Sequence, residues 1–397
     1  MKEAHPVNFD EIIDRKNTNS MKWDNVKAVY QNDDLWPMWV ADMDFRAPDP
    51  VLKALDDVTK HGVFGYHHPP HSLRQAIRDW ASRRFGWEIK PEALTFTPGV
   101  VPAIHHLINA YTDEGDGIII QTPVYHPFFA LLQSNRRTLL ENRLVEGEDG
   151  KYKIDVDDLE THMKNGAKMI ILCNPHNPVG RVWSESELAK IAELCTRYDV
   201  TVISDEIHAD LILQGNHTPL AKLEEAKNLQ VATCMAPSKT FNLASLQLSY
   251  VIFNDEEMQK KLEQQMKQNF MGIGNPYASA AAEAAYRHGE PWLEALLDYV
   301  QGNVNYVNER LQKEMPSIGF AKPEATYLLW LDFRKLELTQ DDLQDWLRKE
   351  GKIALNDGHM FGKAGSGFAR MNVAAPREHI VEGLNRLKTA YDKKVNI

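Results

Sequence analysis

The chain has 397 residues, of which 43% are hydrophobic and 25% charged, with a formal net charge of −11. That length exceeds what one hydrophobic core usually organises, so two domains are expected. The acidic balance and the lack of a clustered Lys/Arg run argue against a nucleic-acid surface, and apolar stretches such as Met169–Cys173 fall well short of the ~20 residues that a membrane helix needs.

In chain order, residues 1–45 are irregular and rich in Trp, Asp and Pro, and read as an arm that belongs with the smaller domain. Val51–Lys60 and Ser72–Phe85 pattern as helices. Gly99 opens another, with Pro102 in its first turn, where a missing N–H costs little. Short apolar runs follow at Gly117–Gln121, Lys168–Cys173, Val200–Ser204, Val231–Met235 and Leu248–Phe253, with helical stretches such as Ser184–Tyr198 between them. Buried strands alternating with helices imply an α/β fold with a largely parallel sheet. Ligands in such sheets sit beyond the carboxyl ends of the strands, which places the loops after residues 121, 173, 204 and 235 on one rim.

After about residue 255 the texture changes. Helical stretches at Asp255–Phe270 and Pro291–Met315, a strand at Ala325–Phe333, an acidic helix at Thr339–Lys349 and a last strand at Phe368–Val373 predict a smaller α+β domain. The expected division is an arm at 1–45, a large domain at 46–287 and a small one at 288–397. Cys173, Cys195 and Cys234 form no CxxC pair and read as buried reduced thiols. Met1-Lys2-Glu3-Ala4-His5-Pro6 lacks the apolar core of a secretory signal, so a cytoplasmic location is expected.

Four segments follow the rim strands: Thr122-Pro123-Val124-Tyr125-His126, Asn174-Pro175-His176-Asn177-Pro178, Asp205-Glu206-Ile207-His208 and Ala236-Pro237-Ser238-Lys239-Thr240. They supply an aromatic ring, an amide, a carboxylate and a lysine. A protonated pyridine cofactor requires such groups. A carboxylate keeps the ring nitrogen protonated, and a lysine forms an imine and moves a proton. Taken singly, each has an ordinary reading as a helix cap, a turn or a solvated charge; their order and shared rim carry the functional one.

Asn174–Gly180, Ile203–His208 and Ser238-Lys239-Thr240 resemble the class I/II aminotransferase superfamily, the fold-type I enzymes that use pyridoxal 5′-phosphate (PLP). Trp39-Val40-Ala41-Asp42-Met43-Asp44-Phe45, Gly65-Tyr66, Pro98-Gly99-Val100-Val101, Ala236–Leu243 and Ala325-Thr326-Tyr327-Leu328 look most like its bacterial cystathionine β-lyase, or C–S lyase, branch. The resemblance implies that Lys239 bonds the cofactor and acts as acid and base. It also implies that Asp205 pairs with the ring nitrogen, Asn177 and His208 lie at the ring's 3′-oxygen, and Tyr125 stacks on the ring. Gly99, Val100, Val101 and Ser238 would receive the phosphate, the backbone N–H groups doing so at a helix N-terminus. Tyr66 would reach the phosphate of a neighbouring subunit in a homodimer with shared sites. Arg370 would hold the substrate α-carboxylate, with Ala41 and Tyr125 also at the substrate.

Two positions depart from the family pattern. Gln247 stands where many relatives carry a phosphate-binding Arg, and Ser245 stands where a Gly is expected. His67, His68 and His71 fit no metal-site spacing, and Pro69-Pro70 between them favours a rigid loop. The resemblance implies a C–S β-lyase acting on cystathionine or a cysteine S-conjugate. An aminotransferase on the same site is the second reading, and a regulatory protein contacting a transcription factor the third.

Overall fold

The computed structural model describes residues 7–395 apart from residue 273. Its centre is a seven-stranded sheet in the order Leu94–Thr97, Ser249–Phe253, Val231–Met235, Thr201–Asp205, Met169–Cys173, Gly117–Thr122, Thr138–Arg143. Ser249–Phe253 runs antiparallel to both of its neighbours. The pairs from Val231–Met235 outward to Thr138–Arg143 are all parallel, so the largely parallel sheet expected from the apolar runs is present.

Those runs are unbroken because both faces of the sheet are covered. Ile118, Ile120, Ile171 and Ile203 pack with Ala103, Ile104, Leu107 and Ile108 of the helix Val100–Tyr111. Ile119, Ile170 and Val202 face the other way, onto Leu188, Ile191 and Cys195 of the helix Glu185–Tyr198. Alternate residues of each strand therefore serve opposite layers. The second helix starts where its sequence says: Ser184 and Glu187 form a capping box, which satisfies two orphan N–H groups. All three cysteines are buried and unpaired.

Among the described residues, four helices of eight residues or more lie outside the expected set, Pro127–Ser134, Val156–Lys164, Pro276–His288 and Arg377–Val395, as do the short helices Val26–Tyr30, in the arm read as irregular, and Pro237–Thr240. So do the strands Leu94–Thr97 and Thr138–Arg143. The last is an edge strand, exposed along much of its length, so its sequence carries no buried run. Pro276–His288 is Ala-rich and buries small side chains, Ala278, Ala281, Ala282 and Ala285, which leaves no strong apolar stripe to read. The strand expected at Ala325–Phe333 begins only at Leu328. Thr326 sits at φ +73°, a left-handed conformation costly for a β-branched residue, and its N–H donates to Leu211 O at 2.7 Å.

The three-stranded sheet Leu328–Asp332, Phe368–Asn372, Asn356–Asp357 is antiparallel. In the arm, Trp36–Pro37 pairs with Ile353–Ala354. Met38 still bonds both neighbouring strands through its backbone, but the stretch 39–45 lies in no strand, and side chains satisfy its carbonyls. Asn372 Nδ2 donates to Val40 O and Asp42 O, each at 2.6 Å, and Asn242 Nδ2 donates to Met43 O at 2.9 Å. Asp44 anchors the arm from inside. It is 2% exposed and accepts from Lys22 Nζ at 2.6 Å, Arg15 Nη1 at 2.6 Å and Trp23 Nε1 at 2.9 Å. Burial opposes ionisation of Asp44, but the Lys22 charge and these donors outweigh it and hold its pKa well below the usual carboxylate range.

Lys22 is 1% exposed. Asp44→Ala should therefore strand its ammonium, with Asp42 at 3.9 Å the nearest remaining carboxylate. The expected cost is about 3–5 kcal/mol, read as a lower denaturant midpoint for the ligand-free protein. An unchanged midpoint would mean that the arm is not part of the cooperative core.

Candidate active site

Because the central strands are parallel neighbours, their carboxyl ends open on one edge, and a cavity of about 190 Å³ lies there. Tyr125 follows Gly117–Thr122, Asn177 follows Met169–Cys173, Asp205 ends Thr201–Asp205 with His208 just beyond, and Ser238 and Lys239 follow Val231–Met235. All of them line the cavity, together with Ala41, Gly99, Val100 and Val101. Gln247 and Leu248 also line the cavity, and Cys173 lies beside Asn177.

Lys239 sits on the short helix Pro237–Thr240, and Thr240 Oγ1 donates to the buried Asp210 carboxylate at 2.9 Å. Its Nζ donates to Ala41 O at 2.7 Å, and Tyr327 Oη donates to the same carbonyl at 3.1 Å. Burial lowers the Lys239 pKa to about 8; Asp42 and Asp205 pull it up and Arg370 pulls it down. Asp205 is 3% exposed. Burial and the neighbouring Glu206 charge raise its pKa to about 7, against the Ile207 N–H, which donates at 3.2 Å, and the Lys239 charge. His208 is held neutral, its pKa lowered to about 3 by burial and by the Lys239 and Arg370 charges. A base and an acid are thus both brought near neutrality in one cleft, as a proton-transfer site requires.

Arg370 lies behind the cavity wall rather than in it. Its Nη1 donates to Asn177 Oδ1 at 2.9 Å, and its Nη2 to Asn356 Oδ1 at 2.6 Å and Trp39 O at 3.2 Å. Tyr66 is not among the cavity residues. It is fully exposed, beside exposed Val63 and Phe64. Of the sequence-derived candidates, Arg370 and Tyr66 do not line the cavity; Arg370 touches its wall through Asn177, and Tyr66 has no such contact among the described residues.

The donor set fits a phosphorylated pyridine aldehyde. An amine is available for the aldehyde, and a buried carboxylate for the ring nitrogen. The Nδ1 of His208 is buried without a partner among the described residues. Gly99 caps the 12-residue helix Val100–Tyr111, whose first-turn N–H groups suit a phosphate. Among the described residues no Arg lines the cavity, and the helix N-terminus and Ser238 are what they offer the anion. Sequence reasoning missed Tyr327, Asn356, Asn372 and Asp210. Tyr327 was visible within a recognised motif. Asn356 gave no signal, because it lies in a two-residue strand.

The chain matches aminotransferase class I and II over residues 40–387 and belongs to that family. Cystathionine beta-lyase PatB of Bacillus subtilis is 43% identical over 386 residues, 97% of this chain and 100% of the relative. Among solved structures, cystalysin from Treponema denticola, which contains a pyridoxal 5′-phosphate cofactor, has a TM-score of 0.94 at 32% identity, covering 98% of this chain and 100% of that one. The PLP-bound C–S lyase from Staphylococcus hominis has a TM-score of 0.90 at 34% identity, covering 98% and 99%.

The raised Asp205 pKa has a consequence in the ligand-free protein. The folded state binds this proton more tightly than the unfolded chain. Stability from Asp205 is therefore full below the unfolded value of 3.8 and is lost as pH rises to about 7. Asp205→Asn should flatten that part of the pH–stability curve relative to wild type in urea denaturation. Parallel curves would mean that Asp205 titrates normally.

Proposed function

We propose that this protein is a PLP-dependent carbon–sulfur β-lyase that cleaves cystathionine or cysteine S-conjugates, with water, to pyruvate, ammonia and a thiol. The observation that carries the reading is the convergence of Tyr125, Asn177, Asp205 and Lys239 from four strand ends on one cavity. The kinship to PatB and the two lyase structures directs the choice of reaction.

When bound, the pyridine ring supplies an electron sink for the α-carbon. Asp205 would keep a proton at the ring nitrogen, Asn177 and His208 would hold the ring's 3′-oxygen, and Tyr125 would cover the ring. The first-turn N–H groups of Val100–Tyr111 and the Ser238 hydroxyl would bind the phosphate. Arg370 receives the substrate carboxylate. Lys239, with its pKa lowered by burial to about 8, is neutral often enough near neutral pH to take the α-proton at Nζ, and Ala41 O orients that nitrogen. With the α-proton on Nζ, the former C–H electron pair becomes a Cα–Cβ double bond as the Cβ–S bond breaks and its pair leaves on the thiolate; water then completes the conversion to pyruvate and ammonia.

The working unit is a cytoplasmic homodimer, with an arm at 1–45, a cofactor domain at 46–287 and a small domain at 288–397. Buried, unpaired cysteines fit a reducing compartment. Support for the dimer comes from Tyr66, which stands outside its own cavity in an exposed apolar stretch with Val63 and Phe64 and is placed here at the phosphate of a second copy.

Cystathionine should yield pyruvate, ammonia and homocysteine with no keto acid added, whereas alanine with 2-oxoglutarate should give little product. Efficient transamination of alanine, with no pyruvate from cystathionine, would instead identify an aminotransferase. The shared site has its own test. Tyr66→Ala and Lys239→Ala should each be nearly inactive alone but regain activity when mixed under subunit exchange, because a mixed dimer holds one intact site. No recovery despite proven exchange rejects the shared arrangement.

A further inference from the structure

A buried guanidinium is normally matched by a carboxylate, because a charge taken out of water is costly unless paired. Two partly buried arginines of the chain follow that rule: Arg181 holds Glu187 and Glu324, and Arg15 holds Asp42 and Asp44. Arg370 is more deeply buried, at 2% exposure, yet its hydrogen bonds among the described residues go to neutral acceptors: two side-chain amides and one backbone carbonyl. The Phe361 ring covers the guanidinium, its centroid 4.9 Å from Cζ. Nε has no partner among the described residues.

Asn356 is the best-fixed part of this cage. It pairs with Arg370 in strand register, is 4% exposed, and makes the shortest of the three contacts, at 2.6 Å. An aspartate there would have almost the same shape and would bring a full counter-charge. The chain has the amide instead.

We propose that Asn356 is a positioning residue that, with Asn177, aims Arg370 while leaving its charge uncompensated, so that the guanidinium's counter-ion is the α-carboxylate of the incoming amino acid. This rests on the reading of Arg370 as the carboxylate site. The free protein keeps a desolvated, unpaired cation, and a carboxylate relieves it. An amine without a carboxylate gains nothing from the arrangement. Specificity for α-amino acids over simple amines therefore depends on a neutral residue that does not itself line the cavity.

Four holoenzymes test this: wild type, Asn356→Asp, Asn356→Ser and Arg370→Ala, each checked for native fold by circular dichroism. Asn356→Asp should raise KM for a cysteine S-conjugate by about 100-fold, with a much smaller fall in kcat, because the new carboxylate takes up the charge. Asn356→Ser, which stays neutral, should cost about tenfold or less. A carboxylate-free amine, followed by the change in cofactor absorbance, should bind all four alike. If Asn356→Ser is as damaging as Asn356→Asp, or if the simple amine loses affinity as well, Asn356 is only a spacer and the proposal is overturned. The outcome does not depend on Asn356→Asp folding. Propionate, a bare carboxylate, should inhibit wild type competitively and weaken several-fold in Asn356→Ser; unchanged inhibition in that variant also overturns the proposal. An unchanged KM in Arg370→Ala would remove the carboxylate-site reading itself. A raised KM there, with Asn356→Asp near wild type, would overturn the inference alone.

Discussion

The guanidinium of Arg370 ties three parts of the chain to one another. Its strand, Phe368–Asn372, belongs to the three-stranded sheet, and its contacts reach Asn177 on the rim of the seven-stranded sheet and Trp39 in the arm. Each contact is a charge-assisted hydrogen bond made out of water, where geometry matters most. The position of Asn177 at the cavity is therefore not independent of how the C-terminal sheet docks. A shift of that sheet would move the cavity wall and the arm together.

The arm depends on the same neighbourhood. Residues 39–45 form no ladder, and their carbonyls are taken by the side chains of Arg370, Asn372, Asn242, Lys239 and Tyr327. Backbone polarity that would be unsatisfied in a buried loop is here used to fix side chains. Lys239 benefits directly, since the carbonyl of Ala41 holds its amine. The Lys22–Asp44 pair on the far side of the arm keeps this stretch in place without entering the cavity.

Sheet periodicity separates two sets of polar groups at the end of Thr201–Asp205. Asp205 lines the cavity, whereas Ser204 and Glu206 point into the opposite layer. There Glu206 accepts from Ser204 Oγ at 2.8 Å and Leu220 N at 3.1 Å and pairs with His217 at 2.8 Å. That buried carboxylate sits next to Asp205 in the chain and pushes its pKa up. The same turn carries His208 to the cavity and Asp210 to Thr240, beside Lys239. One short segment thus sets both the charge of Asp205 and the seating of the lysine helix.

The sequence by itself determined the layered α/β architecture. Unbroken apolar runs can be buried only on two faces, and their carboxyl ends had to open on one edge. That was enough to bring Tyr125, Asn177, Asp205 and Lys239 together, because each follows such a run. Elements whose stability comes from their neighbours were not legible: the exposed edge strand Thr138–Arg143, the Ala-rich helix Pro276–His288 and the terminal helix Arg377–Val395 carry weak patterns of their own. Only the tertiary structure decided which groups meet across long separations. Asn356 faces Arg370, Asn372 holds the arm, and Tyr327 shares a carbonyl with Lys239. Such contacts depend on docking between sheets, which no local spacing encodes. The desolvation that shifts Asp205 and Lys239 toward neutrality arises the same way, since burial is a property of the packed molecule and not of any residue in the chain.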